Sequence, residues 1–472
     1  MSLNPSYKPA QAIRTLGEGF FDPVEAATFP KLILRFRNQP WAERIGLSDL
    51  SDEEWLKHFA EFEALPHNIP HPLALRYHGH QFRQYNPDLG DGRGFLFAQM
   101  LDPVDQRLLD LGTKGSGTTP YSRGGDGRLT LKGGVRELLA TEMLEALGVS
   151  TSKTFSIIET GENLRRHDEP SPTRSCVMVR LSHSHIRFGS FQRHSFEQSP
   201  ERLAELMAYT IEHYYPHLLE DAPETRPVSL LREVVHQCAD TCAAWMTAGF
   251  VHGVLNTDNM NITGESFDYG PYRFAPSYDP SFVAAYFDHR GLYAFGRQSE
   301  AVYWNLQKLA VALRPLAENE AMAEILTEFE NAFDVAFTQR FLERLGVRSK
   351  SPREDTNLRE FAIQYLEDTQ MSYDQFFFDW YGGMASKERA NRSPAADNYK
   401  ERAFQRLSIL LPKFEPSNAS PLEHPYFQQE RPCSMLIDEI EEIWSHIDER
   451  DDWKPLYKKI ESIREMGEAV GI

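Results

Sequence analysis

Two short segments carry residue types with the potential for chemistry. Residues 252–262 read His-Gly-Val-Leu-Asn-Thr-Asp-Asn-Met-Asn-Ile, and Asp-Tyr-Gly follows after a short gap at 268–270. Asn259 and Asp268 offer amide and carboxylate oxygens, the ligand types that favour Mg²⁺ or Mn²⁺ over Zn²⁺. Asp258 places a further carboxylate beside them. These segments indicate a divalent metal site with an acidic side chain next to it.

The spacing of the two segments follows the catalytic loop of protein kinases, H-R-D-L-x-x-x-N and then D-F-G. His252, Leu255, Asn259 and Asp268 match that pattern. One position differs, because Val254 stands where a kinase has the aspartate that accepts the substrate proton. The pattern therefore predicts the ligands of a nucleotide-bound metal without the ordinary base for phosphoryl transfer.

A glycine-rich loop, a lysine and a glutamate precede these segments in the chain. Residues 89–94, Leu-Gly-Asp-Gly-Arg-Gly, lead into a predicted strand; the next predicted strand ends at Lys114, and the predicted helix 134–148 carries Glu137. The same order occurs in the small lobe of a kinase, where a Lys–Glu ion pair orients the nucleotide phosphates. Alone, the glycine loop also fits a hairpin turn, and Glu137 also fits a first-turn glutamate favoured by the helix dipole.

Arg180 and Arg187 bracket a loop that follows another predicted strand. Arginines at strand ends suit bidentate binding of phosphate, although each alone also fits an exposed surface charge. Apolar periodicity predicts the elements that must position all these side chains. The predicted strands are 95–101, 108–114, 154–158 and 176–181, and the predicted helices are 52–59, 134–148, 202–215, 231–247, 301–313, 321–345, 357–366 and segments within 433–472.

The composition narrows the class of protein. The 472 residues are 41% hydrophobic and carry a net charge of -19, which argues against a nucleic-acid or anionic-membrane partner. The four cysteines contain no C-x-x-C pair, so we expect a reducing compartment without disulfides. We find no signal-peptide core and no run of membrane-spanning length. These features favour a cytoplasmic protein.

Taken together, these motifs resemble the SelO (YdiU) family of protein adenylyltransferases, which have a pseudokinase fold. The resemblance covers roughly residues 30–310. The matching strings are Gly-His-Gln-Phe at 79–82, Leu-Gly-Asp-Gly-Arg at 89–93, Lys-Gly-Ser-Gly at 114–117, Arg-Gly-Gly-Asp-Gly-Arg at 123–128, Arg-Glu at 136–137, Arg-Leu-Ser-His-Ser-His-Ile-Arg-Phe-Gly at 180–189 and His-Gly-Val-Leu-Asn-Thr-Asp-Asn-Met at 252–260.

The resemblance implies an α+β, kinase-like two-lobed fold that binds ATP in reversed orientation. A protein Ser, Thr or Tyr hydroxyl, in another protein or in the chain itself, would then attack the α-phosphate, and pyrophosphate would leave. The implied roles are Lys114, Arg180 and Arg187 on the terminal phosphates, Lys114 paired with Glu137, Asp126 and Gly127 as nucleotide contacts, Gly90, Gly92 and Arg93 closing over the triphosphate, Asn259 and Asp268 as ligands of Mg²⁺ or Mn²⁺ beside the ATP, and Asp258 as the base.

Four segments are expected: an N-terminal extension (1–87) packed on the kinase-like core, a nucleotide-binding N-lobe (88–195), a helical C-lobe (196–345) and a C-terminal helical extension (346–472). The chain departs from the family at Arg83, where glycine is usual, and it lacks the cysteine that serves a redox disulfide in some members. Three alternatives remain open, namely an atypical kinase, a nucleotide-binding pseudokinase scaffold, and UMP transfer from UTP.

Overall fold

A computed structural model describes residues 4–167, 169–417 and 420–471. Within these residues, the strands are β1 Pro9–Ala10, β2 Phe21–Pro23, β3 Ile33–Arg37, β4 Leu73–Leu75, β5 Gly79–Gln81, β6 Gln84–Asn86, β7 Leu96–Leu101, β8 Leu108–Lys114, β9 Leu129–Thr130, β10 Lys153–Leu164, β11 Thr173–Ser182, β12 Phe250–Val251 and β13 Arg273–Phe274.

The described α-helices concentrate in the second half of the chain. They are α1 Gln39–Arg44, α2 Asp52–Phe59, α3 Leu131–Ala146, α4 Phe188–Phe196, α5 Pro200–Tyr214, α6 Arg226–Ala248, α7 Gln298–Leu313, α8 Asn319–Leu326, α9 Glu328–Leu345, α10 Pro352–Thr369, α11 Tyr373–Trp380, α12 Lys387–Arg392, α13 Gln405–Leu410, α14 Ile437–Arg450 and α15 Lys454–Val470. This β-rich part followed by a helical part confirms the α+β class and is compatible with a kinase-like two-lobed fold.

The main sheet is antiparallel, with strand order β2-β4-β7-β8-β11-β10-β3; β1 adds to β7, and β9 adds to β11. Its central strands are apolar on both faces. In β11, Cys176 and Met178 belong to the same apolar cluster as α3, whereas Val177 and Val179 pack in the cluster around Trp55. Because successive side chains of a strand point to opposite faces, an uninterrupted apolar strand needs cover on both sides. Here α3 covers one face and the N-terminal segment covers the other.

Helix α3 positions Glu137 behind the sheet. The Thr130 hydroxyl accepts the Gly133 N–H at 3.1 Å and caps the start of the helix, and Gly148 (φ +75°) follows its end. From the far end of the chain, α15 packs on α3, where Arg464 Nε lies 2.7 Å from Glu142 Oε2. The C-terminal helix therefore supports the helix that carries Glu137.

One predicted helix is wrong in its extent. Residues 321–345 were expected to form a single helix, but α8 ends at Leu326 and α9 starts at Glu328. The intervening Thr327 hydroxyl donates to the Glu324 carbonyl at 2.6 Å, a side-chain bond to the backbone that competes with continuation of the helix. The other predicted helices and strands are present, most of them with their ends moved by a few residues.

Strands β1 to β4 come from the first 87 residues and belong to the main sheet, so this segment is an integral part of the sheet. The division into four segments stays a prediction. None of the helices that the structure describes combines the length and the apolar character needed to cross a bilayer.

Candidate functional site

The two motif segments meet because a short strand pair holds them together. Helix α6 is followed by Gly249 in the left-handed conformation. Strand β12 then precedes both motif segments and pairs with β13, which follows them in the chain. The buried His252 ring contacts the Phe267 carbonyl oxygen, with 3.0 Å between His252 Nε2 and that oxygen. Residues Thr257–Asn259 form one turn of 3₁₀ helix. Asp258 and Asn259 are thereby presented next to the loop that carries Asp268.

Lys114, Glu137, Arg180 and Asp268 form one ionic cluster, in which the Asp268 side chain is 25% exposed and the other three are buried. The register of β8 and β11 pairs Gly112 with Arg180, so Lys114 and Arg180 project from the same face of the sheet. Lys114 Nζ lies 2.6 Å from Glu137 Oε2 and 2.7 Å from Asp268 Oδ1. Arg180 reaches the same two carboxylates at 3.5 and 3.2 Å. Two cations and two carboxylates are therefore in direct contact within the site.

Asp268 is held in its ionised form by this cluster. Burial opposes ionisation, but the positive charges of Lys114, Arg180 and Arg187 outweigh burial and hold the pKa of Asp268 well below its usual range. Its backbone has φ +64°, an uncommon conformation for a residue other than glycine. Such conformations often occur where a side chain has a functional orientation.

Arg187 lies in the same region and contacts the turn at residues 256–259. Its Nη1 donates to the Asp258 backbone carbonyl at 2.8 Å, and its Nη2 lies 3.4 Å from Asp91 Oδ1. The guanidinium stacks over the rings of Tyr77 and Phe267, 4.5 and 4.9 Å from their centroids. Arg187 is therefore a rigid, buried cation in contact with the turn that presents Asp258.

Asp258 is almost completely buried, with 7% exposure, and its two oxygens differ. Oδ2 accepts a hydrogen bond from Gln81 Nε2 at 3.3 Å, whereas Oδ1 has no partner among the described residues. Burial raises the pKa of Asp258 to about 6, and the nearby charge of Arg187 limits the rise. A carboxylate with this pKa is well suited to accept a proton near neutral pH.

Asn259 and Asp268 fit the requirements of a hard divalent cation. Asn259 Nδ2 donates to the Val254 carbonyl at 3.0 Å, which orients the amide and leaves its oxygen as an available ligand. The described residues contain no cluster of three or more His, Cys, Asp or Glu side chains that would form an all-protein metal cage. Mg²⁺ commonly uses one or two protein oxygens and takes its other ligands from phosphates and water.

Gly90 and Gly92, which were predicted to close over the triphosphate, pack closely against the loop that contains Tyr121. A Cβ at Gly90 would lie 2.3 Å from the Tyr121 ring, and a Cβ at Gly92 would lie 2.7 Å from the Tyr121 carbonyl oxygen. Arg93 is exposed, and its charge contributes to the low pKa of Asp268. Any side chain at 90 or 92 would therefore displace the loop around Tyr121.

Asp126 and Gly127 lie in an outer loop instead. Asp126 is exposed, and its carboxylate pairs with Arg166 at 2.8 Å. A Cβ at Gly127 would lie 2.1 Å from the Gly117 carbonyl oxygen, which accounts for the glycine in packing terms. Between the described side chains, no direct contact joins these two residues to the Lys114 cluster, so a nucleotide contact at Asp126 stays a prediction.

Sequence reasoning assigned no role to the hairpin formed by β5 and β6, yet the hairpin contacts the turn at residues 256–259. The His80 N–H donates to Thr257 Oγ1 at 2.7 Å, and the Phe82 N–H donates to Asn256 Oδ1 at 3.0 Å. Phe82 and Arg83 have φ of +50° and +65°, so both central residues of this two-residue turn adopt positive φ although neither is glycine. The only available signal was the Gly-His-Gln-Phe string itself.

A buried glutamate three residues before Asp268 yields a prediction on stability. Burial raises the pKa of Glu265 to about 7, although the charge of Lys153 and the His183 N–H oppose the rise. A folded-state pKa above the unfolded value means that protonation stabilises the fold, and that this contribution is lost as pH rises through 7. We expect Glu265→Gln to raise the free energy of unfolding at pH 8.5 by about 1–3 kcal/mol and to have little effect at pH 4.5. Denaturant unfolding at both pH values measures this difference. The exposed Glu205→Gln is the matched control. Equal changes in the free energy of unfolding for both variants would contradict the raised pKa of Glu265.

Comparisons with known proteins identify the family of the chain. Residues 2–464 match the family model described as protein adenylyltransferase SelO. The chain is 43% identical over 484 residues to the protein nucleotidyltransferase YdiU of Synechocystis sp., with 98% of each chain covered. It is 44% identical over 480 residues to the protein of the same name from Gloeobacter violaceus, which covers 98% of this chain and 95% of that protein.

Proposed function

The chain belongs to the SelO family of protein adenylyltransferases and is a nucleotidyltransferase, and from this premise we propose that it transfers AMP from ATP to protein hydroxyl groups. The acceptors would be Ser, Thr or Tyr side chains of other proteins, with modification of the chain itself as a further reaction. The two products would be the adenylylated protein and pyrophosphate.

The observation that carries this proposal is the distribution of charge around the two motif segments. Val254 stands at the position of the kinase base, so a hydroxyl placed as in a kinase would meet no carboxylate there. Asp258 instead offers one oxygen that has no partner among the described residues, while Lys114 and Arg180 contact Asp268 and the charge of Arg187 also acts on it. A reversed ATP would place its β- and γ-phosphates on these cations and its α-phosphate towards Asp258.

In the proposed reaction, Asp258 Oδ1 takes the proton of the acceptor hydroxyl as its oxygen attacks the α-phosphorus. The bond between the α-phosphorus and the bridging oxygen breaks, and pyrophosphate leaves with the electron pair. Lys114 and Arg180 stabilise the charge that develops on pyrophosphate, because fixed cations in a buried site need no reorganisation during the step. Asn259 and Asp268 would hold Mg²⁺ or Mn²⁺, which when bound neutralises phosphate charge.

Labelled nucleotides test the proposal directly. The protein is incubated with a bacterial protein extract and ATP labelled at either the α- or the γ-phosphate. We expect acid-stable label on protein only from the α position, with pyrophosphate released and a mass increase of one AMP on hydroxyl side chains. Label from the γ position alone would indicate phosphoryl transfer, and no label from either would indicate a nucleotide-binding scaffold. A parallel reaction with α-labelled UTP compares UMP transfer with AMP transfer.

A further inference from the structure

The hairpin formed by β5 and β6 is anchored to the turn at residues 256–259 by three side chains of that turn. Thr257 and Asn256 accept backbone N–H groups of the hairpin at 2.7 and 3.0 Å. Asp258 accepts the Gln81 side chain. The Thr257 hydroxyl in turn donates to Gln192 Oε1 at 2.7 Å, which ties the turn to α4 as well. The position of the hairpin relative to Asp258 is therefore determined by several bonds that do not involve Gln81 itself.

Within this hairpin, Asn86 orients the Gln81 amide. Asn86 Nδ2 donates to Gln81 Oε1 at 3.2 Å, and the opposite end of the same amide, Nε2, donates to Asp258 Oδ2 at 3.3 Å. An amide whose oxygen already accepts a hydrogen bond can only present its NH₂ group to the carboxylate. The Asn86–Gln81 pair thus directs a donor at one chosen oxygen of Asp258.

The other oxygen of Asp258 is left free in a buried position. Oδ1 has no hydrogen-bond partner among the described residues, which is uncommon for a buried carboxylate oxygen. The hairpin backbone approaches it closely at Gly79, where a Cβ would lie 3.1 Å from Oδ1. A glycine at position 79 therefore keeps the surroundings of Oδ1 clear of a side chain.

We propose that Gln81 is a positioning residue for Asp258. By occupying Oδ2 it fixes the rotation of the carboxylate and leaves Oδ1 as the single acceptor for the proton of the incoming hydroxyl. This inference rests on the proposed function, because it assigns Asp258 as the base. It extends that function by making a segment that precedes the kinase-like motifs part of the catalytic apparatus.

Gln81→Met tests the role of the donor, since methionine keeps the length of the side chain and removes the N–H group. We expect the maximal rate of AMP incorporation from α-labelled ATP into a bacterial protein extract to fall about 10-fold, the loss expected for one hydrogen bond to a charged group. The KM for ATP should change less than twofold, because the hydrogen bonds of the Gln81 side chain to described residues go to Asp258 and Asn86 and not to a predicted phosphate-binding residue. Gln84→Met is the matched control in the same hairpin, exposed and paired in register with Gln81, and we expect it to behave as the parent.

Asn86→Asp supplies an independent test of the same orientation. An aspartate can no longer donate to Gln81 Oε1 and attracts the NH₂ group away from Asp258. We expect a fall in maximal rate similar to that of Gln81→Met. The double variant should be no slower than the slower single variant, because both changes remove the same hydrogen bond.

Three results would overturn the inference: a parental rate for Gln81→Met, an equal loss for Gln84→Met, or multiplicative losses in the double variant. Thermal unfolding of each variant separates a positioning role from a loss of stability, since equal melting temperatures with unequal rates exclude a merely structural effect. Failure of the proposed function is visible separately, because the parent protein would then transfer no α-label at all.

Discussion

Asp258→Asn is expected to lower AMP transfer about 10²- to 10⁴-fold, the range that general-base catalysis contributes. Asparagine keeps the shape of the side chain and an oxygen for the Gln81 N–H group, but it cannot accept the proton of the acceptor hydroxyl at neutral pH. The backbone carbonyl of residue 258 still accepts the Arg187 bond, so the turn should keep its position. The rate of α-label incorporation into protein measures the loss.

ATP binding separates catalysis from nucleotide recognition in this variant. We expect the Kd for ATP, measured by calorimetry, to stay within about threefold of the parent, because the predicted phosphate-binding cations are unchanged. Asp448→Asn, an exposed position on α14, removes the same charge far along the chain and should leave both quantities unaffected. A parental rate of transfer in Asp258→Asn would show that the base lies elsewhere.

Asp268→Asn is expected to abolish detectable transfer, with a loss of about 10³-fold or more, since it removes a predicted metal ligand and the partner of two buried cations. Lys114 and Arg180 both contact Asp268 Oδ1, so the substitution leaves two positive charges facing Glu137 alone. The α-label assay measures the rate, and calorimetry with ATP in Mg²⁺ or in EDTA measures binding.

The effect of Mg²⁺ on ATP binding is expected to differ between Asp268→Asn and the parent. In EDTA, Asp268→Asn should bind ATP at least as tightly as the parent, because a negative charge beside the triphosphate has been removed. Addition of Mg²⁺ should strengthen binding in the parent and have little effect in the variant. If Mg²⁺ strengthens ATP binding equally in both proteins, Asp268 is not the metal ligand, whatever happens to the rate.

The Lys114–Glu137 pair within the ionic cluster could be predicted from the sequence because the order of elements along the chain indicates it. A glycine loop, a strand that ends at Lys114 and a helix that carries Glu137 follow one another at short separations, and the apolar periodicity of strand and helix indicates which faces must meet. The structure brings these two side chains within 2.6 Å. The helix expected over residues 321–345 was predicted less well. A hydrogen bond from the Thr327 hydroxyl to the backbone ends α8 within an otherwise helical pattern.

The surroundings of Asp258 could not be predicted from the sequence in the same way. Gln81 is separated from Asp258 by 177 residues, and Asp91 is separated from Arg187 by 96 residues. Neither pair has a periodicity or a spacing that would predict it, and single arginines on strand ends are as typical of exposed surface as of a buried site. The hairpin reaches the turn at residues 256–259 only in the folded chain, where its N–H groups bond Thr257 and Asn256.

The sequence by itself determined the family, the α+β class and the residue types of the site, because these depend on local patterns and on a set of short motifs in fixed order. The tertiary structure alone decided that Asp258 is buried, that among the described residues only one of its oxygens has a partner, and that Arg187 contacts its turn. Burial and hydrogen-bond partners arise where distant segments meet. They set the pKa and the orientation of a carboxylate, and the identity of the residue does not encode them.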